Sequence, residues 1–342
     1  MTNLENIDWA HLPFGYMKTD YNVRRTFKDG KWGEIEVTQD ETVNLHMAAS
    51  CLHYGQEIFE GLKAFRGQDG KIRMFRPDEN AKRLQNSARG ILMEPLPEDI
   101  FMEMCKKVVK LNERFIPPYG SGSSLYLRPV EIGISPRVGV SPAEEYMVII
   151  FVTPVGPYFK EGFHPTRVAV YREYDRAAPC GTGRWKVGGN YAAGMGATAR
   201  AKSAGYSAAL FLDPKEKKYL DECGPANFFI VKGNTYITPK SGSILPSITN
   251  MSLQQIARDL GMEVEARPIP LEELAEADEA AECGTAAVTA PISEVVDMDN
   301  DVHYIISKDG NVGPKVTALY NRLRAIQQGD YPDEHGWVVF VD

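Results

Sequence analysis

The sequence lacks the features that mark nucleic-acid-binding, membrane-spanning and zinc-binding proteins. Its 342 residues carry a net charge of −8, whereas a protein that binds duplexes is expected to carry a clustered basic face. It has no apolar run of the roughly 20 residues that span a bilayer, and its N-terminal stretch has no apolar signal core. The six histidines show no HxxxH or HxH spacing, so we expect no metal site. We therefore expect a cytoplasmic protein with neither nucleic acid nor a membrane as a partner.

Cysteine is scarce, and its spacing suggests no disulfide framework. The count is odd, and no two cysteines form a CxxC pair. Free thiols in a reducing compartment are the simplest account of such a pattern. The five positions are Cys51, Cys105, Cys180, Cys223 and Cys283.

Length and patterning predict two domains of mixed α and β structure. At about 150 residues per domain, the chain is long enough to bury two separate cores. Residues 154–165 hold three prolines and two glycines with little apolar periodicity, which is typical of a linker. We predict a smaller N-terminal domain over 1–154, an interdomain linker over 155–170 and a larger C-terminal domain over 171–342.

Local patterns predict the main helices and hairpins. Asp-Gly pairs between apolar runs in residues 20–75 are a hairpin signal. A stretch of small residues ending at Gly205 predicts a helix, and ITNMSLQQIARDLG predicts another with Asn250 or Ser252 as its cap. Helical spacing over residues 78–92 places five apolar residues on one face: Ala81, Leu84, Ala88, Ile91 and Leu92.

Lys186, in the stretch RWKVGGNY, is a candidate nucleophile. An ammonium group in apolar surroundings has a lowered pKa, so its amine attacks an aldehyde more readily. The two glycines that follow would let a bulky group approach the backbone closely. Taken alone the signal is weak, because a lysine beside Gly-Gly is more often an exposed turn residue.

Glu222, in KKYLDECGPANFF, is a candidate partner for a heterocyclic cofactor. A carboxylate at a strand end, before a Gly-Pro turn, can accept a hydrogen bond from a pyridinium nitrogen. It would then hold the ring cationic, so that the ring acts as an electron sink. The alternative is an ordinary surface acid at the end of a strand.

Two loops of small residues are candidates for phosphate binding. SGSILPSITNMSLQQIA leads into a helix start, and AECGTAAVTAPI is rich in hydroxyl groups. Phosphate sites need backbone N–H groups, hydroxyls and a cation, and both loops offer the first two. Neither loop is a Walker or GxGxxG motif, and each alone would more often be a plain tight turn.

Together and in this order, the segments resemble one family. From about Asn44 to Pro291 the chain is similar to the branched-chain aminotransferases, which are fold-type-IV pyridoxal-phosphate enzymes. The resemblance implies two domains, with a barrel-like β core in the larger, C-terminal, cofactor-binding one. The segments that carry it are LHYGQEIFEGLKAFRG, NAKRLQNSA, LYLRPVEIG, KVGGNY, DECGPANFF, ILPSITNMSL and CGTAAVTAPI.

The resemblance implies which residues bind pyridoxal phosphate. Lys186 would bond covalently to the cofactor aldehyde, Tyr191 would hydrogen-bond the ring hydroxyl, and Glu222 would pair with the pyridine nitrogen. The phosphate would be bound by a guanidinium group, the N–H groups at a helix N-terminus, and a hydroxyl with its N–H. These phosphate-binding residues would be Arg83, Ile248, Thr249 and Thr285.

The resemblance also implies a pocket for a branched apolar side chain. Its members would be aromatic walls, a glycine that keeps the pocket open, a tyrosine–arginine pair for carboxylates, and two backbone N–H donors. In that order they are Tyr54, Phe59 and Tyr158, then Gly61, then Tyr126 and Arg128, then Ala286 and Ala287. From the residues alone, core packing would be the preferred explanation for Tyr54, Phe59 and Tyr126.

Two positions depart from the family pattern. Mammalian-type members carry a redox CxxC after the GTA segment, where this chain has Ala287 and Ala290, so we expect no thiol switch. After the glutamate this chain has Gly224-Pro225-Ala226, and Pro225 removes an N–H near the substrate. The side-chain preference implied by the family is least secure there.

The implied activity is ping-pong transfer of an amino group between L-leucine, L-isoleucine or L-valine and 2-oxoglutarate. The products would be branched 2-oxo acids and L-glutamate, and the resemblance implies a homodimer. The alternatives are a D-amino-acid aminotransferase or an aminodeoxychorismate lyase of the same fold. A ligand-binding relative without catalysis is a further alternative.

Overall fold

A computed structural model describes residue 4 and residues 7–159 and 162–341. The chain divides into two compact units. Unit 1 comprises Met1–Tyr158, Trp185–Gly188 and Ala325–Asp342, and unit 2 comprises Phe159–Arg184 and Gly189–Arg324. The predicted linker includes residues 160 and 161, which lie outside the described residues.

Unit 1 is built on one antiparallel sheet. Its helices are α1 (Ser50–Tyr54), α2 (Pro77–Gly90) and α3 (Glu98–Leu111), with short 3-10 helices at Trp9–His11 and Glu113–Phe115. Its strands are β1 (Asn22–Lys28), β2 (Lys31–Trp32), β3 (Glu36–Thr38), β4 (Glu57–Phe59), β5 (Leu62–Arg66), β6 (Ile72–Phe75), β7 (Ser124–Gly133), β8 (Tyr146–Val155) and, near the C-terminus, β18 (Val338–Phe340). The sheet order is β18-β6-β5-β7-β8-β1-β2, with β3 paired to β1 and β4 to β7.

The core of unit 1 lies between this sheet and helices α2 and α3. The predicted apolar face of α2 is confirmed for Ala81, Leu84 and Ala88, which are buried. The prediction is wrong at its end, because α2 stops at Gly90. Leu92 lies beyond the helix with φ of 58° and a side chain that is 68% exposed.

The last residues of the chain group with unit 1, whereas the sequence patterns placed them in the C-terminal domain. β18 pairs antiparallel with β6, with Val338 opposite Phe75 and Phe340 opposite Arg73. The Trp337 ring lies edge-on to Phe75, with the ring centroids 5.7 Å apart. A pairing between strands so far apart in sequence leaves no local signal.

Unit 2 contains a closed ring of strands. Its helices are the 3-10 helix Leu271–Glu276, α4 (Gly188–Ser203), α5 (Ile248–Asp259) and most of α6 (Pro314–Gln328), whose residues from Ala325 onward group with unit 1. Its strands are β9 (Thr166–Val170), β10 (Ala208–Leu212), β11 (Leu220–Cys223), β12 (Ala226–Lys232), β13 (Thr235–Thr238), β14 (Glu263–Ala266), β15 (Glu279–Gly284), β16 (Val288–Asp297) and β17 (Val302–Ile305). The order β11-β10-β9-β16-β15-β12 is closed by pairing of β11 with β12. The fold is thus mixed α and β with a six-stranded barrel, as expected.

Two helix boundaries in unit 2 test the sequence predictions. Helix α4 ends at Ser203, and Gly205 follows with φ of 84°, which confirms the predicted glycine stop. The predicted caps of α5 are wrong, because both Asn250 and Ser252 lie inside the helix. Ser247 is the cap, and its side chain accepts a hydrogen bond from the N–H of Asn250.

Among the described residues, no helix is long and apolar enough to cross a membrane.

Candidate active site

Lys186 is fixed by its own backbone inside unit 1. Its N–H donates to Ser87 Oγ at 3.0 Å, and its carbonyl accepts from the N–H of Phe59 at 3.1 Å. The next residue, Val187, forms an isolated β-bridge with Ile58. A Cβ at Gly188 would displace the Glu57 carboxylate, which lies against this position of the KVGG stretch. Lys186 is therefore a structured residue rather than an exposed turn lysine.

The Lys186 amine lies over an aromatic face. Its Nζ is 4.6 Å from the centroid of the Phe59 ring. The guanidinium carbon of Arg128 lies over the same ring, 4.9 Å from the centroid. A cation above an aromatic face is attracted to the electron-rich ring. Phe59 therefore links the candidate nucleophile to the candidate carboxylate-binding arginine.

Arg128 and Tyr126, which lie two residues apart on β7, are hydrogen-bonded to each other. Arg128 donates to the Tyr126 hydroxyl from Nε at 3.2 Å and from Nη2 at 3.0 Å. Burial raises the pKa of the Tyr126 phenol above its usual value. A Cβ at Gly61 would overlap that hydroxyl, so the glycine makes room for Tyr126. The structure thus brings together Gly61, Phe59, Tyr126, Arg128 and Lys186.

Arg83 is held by a carboxylate that sequence reasoning missed. Its Nε donates to Glu60 Oε1 at 2.7 Å, and its Nη2 donates to Glu60 Oε2 at 2.8 Å. Glu60 has no exposed surface and also accepts from Asn80 Nδ2 at 2.7 Å. Glu60 lies between Phe59 and Gly61 in the FEG segment. Its position between two predicted site residues was the only sequence signal that could have identified it.

Tyr54 is a partly exposed residue whose hydroxyl contacts a surface loop. Its hydroxyl donates to the carbonyl of Val138, and its side chain is 40% exposed. Met47, Leu52, Val138 and Val140 are also exposed, and the two valines belong to the loop that the Tyr54 hydroxyl contacts. We call these five residues the valine-loop patch. Tyr158, the other predicted aromatic wall, is 48% exposed.

Glu222 is a buried carboxylate in unit 2 and not a surface acid. It lies on β11 and is 2% exposed. Its Oε1 accepts a hydrogen bond from the N–H of Leu245 and lies 3.2 Å from Nη2 of Arg176. Arg176, in the segment before α4, is itself 6% exposed. Sequence reasoning missed Arg176, because its partner is far away in the chain.

Tyr191 lies in the first turn of α4 and lines a cavity within unit 2. The cavity measures about 400 Å³, which is within the range of small-molecule sites. Arg176, Gly224 and Pro225 also line it, so it adjoins the turn that follows Glu222. Gly224 has φ of 57°, a left-handed conformation that favours glycine.

The N-terminus of α5 is anchored from several sides. Ile248 and Thr249 form its first two positions, where backbone N–H groups have no acceptor within the helix. Asn250 donates from Nδ2 to Asn227 Oδ1 at 3.0 Å and to Thr238 Oγ1 at 2.8 Å. A fixed helix start of this kind suits a phosphate group.

The second candidate loop is the turn that joins β15 to β16. It contains Thr285, Ala286 and Ala287 and ends at Val288. Val288 has φ of 66°, which is costly for a β-branched residue. Such strain is found at ligand-binding turns, where the surrounding structure enforces it.

The sequence profile described as Amino-transferase class IV matches residues 57–295. The chain belongs to this family. Branched-chain-amino-acid aminotransferases from Haemophilus influenzae and Helicobacter pylori are each 45% identical to it. The first alignment covers 99% of this chain and 100% of the relative, and the second covers 100% of both.

Solved structures of branched-chain amino acid aminotransferases agree with the fold. The Escherichia coli enzyme has a TM-score of 0.79 and 28% identity, covering 95% of this chain and 100% of that one. The enzyme from T.th., solved with pyridoxamine 5'-phosphate, has a TM-score of 0.78 and 28% identity, covering 96% and 100%. The residues described above fit such a cofactor, because they supply a lysine, a buried carboxylate and a helix N-terminus.

Proposed function

We propose that the protein transfers amino groups between L-leucine, L-isoleucine or L-valine and 2-oxoglutarate. One observation carries the proposal: relatives named branched-chain-amino-acid aminotransferase are 45% identical to the chain over their entire length. The D-amino-acid aminotransferase and lyase alternatives are not favoured, because these relatives and the similar solved structures are all named branched-chain aminotransferases. The alternative of a relative without catalysis is opposed by the retained Lys186 and Glu222.

Pyridoxal phosphate is the cofactor, and it supplies an electron sink for the bonds at the amino acid Cα. We assign the pyridine nitrogen to Glu222 and the ring hydroxyl to Tyr191. The phosphate is assigned to Arg83, Ile248, Thr249 and Thr285. The buried, bonded state of Glu222 supports its role, since a carboxylate held in one orientation can keep a ring nitrogen protonated.

Lys186 is the proposed base as well as the covalent attachment point. Its Nζ takes the proton from the amino acid Cα and holds it as an ammonium until it is returned. The Phe59 ring lies under Nζ and attracts it when it is an ammonium. The backbone bonds to Ser87 and Phe59 keep the lysine stem in place during the transfer.

The unit 1 cluster suits a substrate that is either apolar or acidic. Phe59 and Tyr126 offer aromatic surface to a branched side chain. Arg128 is the proposed cation for the distal carboxylate of glutamate, and its bonds to Tyr126 fix its direction. The backbone N–H groups of Ala286 and Ala287 are the proposed donors to the α-carboxylate.

We also propose a homodimer in the cytoplasm. The valine-loop patch supports a dimer, since Val138 and Val140 are 90% and 86% exposed on one loop, and exposed apolar side chains that lie close together mark interaction surfaces. The five free cysteines support a reducing compartment.

A substrate panel on the purified protein tests the proposed reaction. L-leucine, L-isoleucine, L-valine, D-alanine and aminodeoxychorismate are supplied in parallel, with 2-oxoglutarate as acceptor where one is needed. We expect turnover with the three branched L-amino acids and ping-pong kinetics. Turnover restricted to D-alanine or aminodeoxychorismate would overturn the proposal.

A further inference from the structure

Arg176 joins two segments of unit 2 at the Glu222 carboxylate. Its Nη2 donates to the carbonyl of Gly183 at 3.0 Å and to the carbonyl of Ser243, and lies 3.2 Å from Glu222 Oε1. A Cβ at Gly183 would crowd the backbone of Ser243, so the approach of these two segments requires glycine. The guanidinium is therefore fixed by backbone as well as by Glu222.

Glu222 is the counterion of Arg176. The two carbonyls that accept its hydrogen bonds are neutral, whereas Glu222 carries a charge when ionised. Both side chains are more than nine-tenths buried, where an unpaired charge is costly. A buried pair of this kind stabilises the ionised carboxylate, because water does not screen the attraction.

The neighbouring carboxyl group behaves differently. Asp221 accepts hydrogen bonds from the hydroxyls of Ser241, at 2.7 Å, and Ser243. Burial raises the pKa of Asp221, although Arg176 acts in the opposite direction. Of two adjacent buried acids, Glu222 is thus the one in direct contact with the cation.

We propose that Arg176 is a positioning residue that holds Glu222 as an oriented anion toward the cofactor ring nitrogen. The inference rests on the proposed pairing of Glu222 with that nitrogen. A cation on the far side of the carboxylate favours a carboxylate–pyridinium pair over a neutral pair, because it faces the negative end of the pair. Arg176 acts on the electron sink through Glu222 and is not itself a catalytic residue.

Other groups near Glu222 bear on its protonation. Cys283 on β15 faces it, and burial raises the pKa of that thiol, so Cys283 is neutral and adds no charge. Asp221 is adjacent on β11 and is bonded to serine hydroxyls. The N–H of Leu245 donates to Glu222 and favours its anion. Replacing Arg176 therefore removes the cation while these other groups remain.

The test uses the holoenzyme loaded with pyridoxal phosphate that is isotopically labelled at its ring nitrogen. The nitrogen resonance is followed by NMR against pH in wild type, Arg176→Gln and Arg176→Lys. Glutamine can still donate to the carbonyls but carries no charge, whereas lysine keeps the charge. At neutral pH we expect Arg176→Gln to move the ring-nitrogen resonance toward that of an unprotonated pyridine, because the shared proton moves to Glu222, and Arg176→Lys to restore it. At the same pH, kcat should fall in Arg176→Gln and recover in Arg176→Lys.

Arg172→Gln is the matched control. Arg172 also pairs with a buried acid, Asp297, at 2.7 Å, within unit 2 but not at Glu222. Its replacement should leave the ring-nitrogen resonance unchanged.

Three outcomes would overturn the inference. They are a wild-type resonance in Arg176→Gln, equal resonances in the Gln and Lys variants, or a shift of the same size in Arg172→Gln. If Arg176→Gln does not fold, Arg176→Lys decides: a retained protonated nitrogen supports the inference, and its loss contradicts it.

Glu222→Gln separates this inference from the proposed function. If that variant keeps a wild-type resonance, the pairing of Glu222 with the ring nitrogen is wrong. If Glu222→Gln loses the protonated nitrogen while Arg176→Gln keeps it, only the role of Arg176 is wrong.

Discussion

The Arg83 guanidinium is directed by Glu60. Two of its N–H groups are bonded to the fully buried carboxylate, and the carboxylate is bonded in turn to Asn80. Such a bidentate pair fixes the plane of the guanidinium, which leaves its remaining donors in a set direction. A phosphate-binding arginine held this way loses little side-chain entropy on binding.

Glu60→Gln should therefore weaken cofactor binding. The amide can accept only one of the two hydrogen bonds from Arg83, and the lost charge-assisted bond is worth about 1.5–3 kcal/mol. Titration of the apoenzyme with pyridoxal phosphate should show a dissociation constant raised by about tenfold or more. Asp69→Asn, which removes the partner of Arg73 elsewhere in unit 1, is the control. An unchanged dissociation constant in Glu60→Gln would contradict this role.

At the residue scale, sequence alone located the motif residues but not their partners. Lys186, Glu222 and Arg83 lie in segments with a recognisable pattern. Glu60 lies 23 positions from Arg83, and the Arg176–Glu222 pair also joins distant segments. Contacts of this kind depend on strand pairing and loop packing, which local composition does not encode.

Among the elements, the 3-10 helix Leu271–Glu276 is tied to its surroundings by ion pairs. Glu273 accepts from Arg267 Nη2 at 2.7 Å and from Lys232 Nζ at 2.9 Å. These partners, with the Arg267 hydrogen bond as the main cause, lower the pKa of Glu273 from its usual 4.5 to about 2. The folded state thus binds a proton at Glu273 less readily than the unfolded chain does.

The sign of the pH dependence follows from that lowered pKa. The stabilisation from Glu273 is complete above about pH 4.5 and is lost as pH falls toward about 2. Arg267 and Lys232 are partly exposed, so solvent screening limits the contribution to about 1 kcal/mol. Glu273→Gln should lower Tm at neutral pH, and the difference from wild type should shrink as the solution is acidified. A difference that is constant with pH would contradict the ion-pair account.

Elements were predictable where the signal was local. The glycine stop of α4 and the buried face of α2 followed from spacing. The cap of α5 was predicted wrongly. The Asn250 side chain is of a type that caps helices, but here it donates hydrogen bonds to Asn227 and Thr238. Ser247 is set as the cap by the extended backbone that follows Pro246.

At the scale of the whole molecule, the valine-loop patch is an apolar surface that the single chain leaves exposed to solvent. Val138 and Val140 are among its most exposed apolar side chains. In the proposed homodimer this patch is covered by the second copy. Dimer formation should then depend on its apolar character.

Val140→Asp should weaken the proposed dimer, because burying an unpaired carboxylate at an interface is costly. Light scattering coupled to size exclusion should show a fall in mass toward the 38.1 kDa of one chain. Val302→Asp, at an exposed apolar position on β17 in unit 2, is the control. An unchanged mass for Val140→Asp, at concentrations where the wild type is dimeric, would rule out this patch as the interface.

The sequence predicted domains that follow one another along the chain, whereas the two compact units each group segments that are distant in sequence. Proline and glycine near residue 160 indicated the change from one unit to the next. The return of Trp185–Gly188 and Ala325–Asp342 to unit 1 depends on pairings such as β18 with β6 and Val187 with Ile58. Such pairings are set by the completed sheet and leave no periodicity of their own.

The covalent role of Lys186 is the central claim. The holoenzyme is reduced with borohydride, which makes the lysine–cofactor bond permanent, then digested and mapped by mass spectrometry. We predict that the phosphopyridoxyl group is found on the peptide that contains Lys186, and that Lys186→Ala carries none. Attachment to another lysine, or no attachment in a protein that binds the cofactor and is active, would contradict the account.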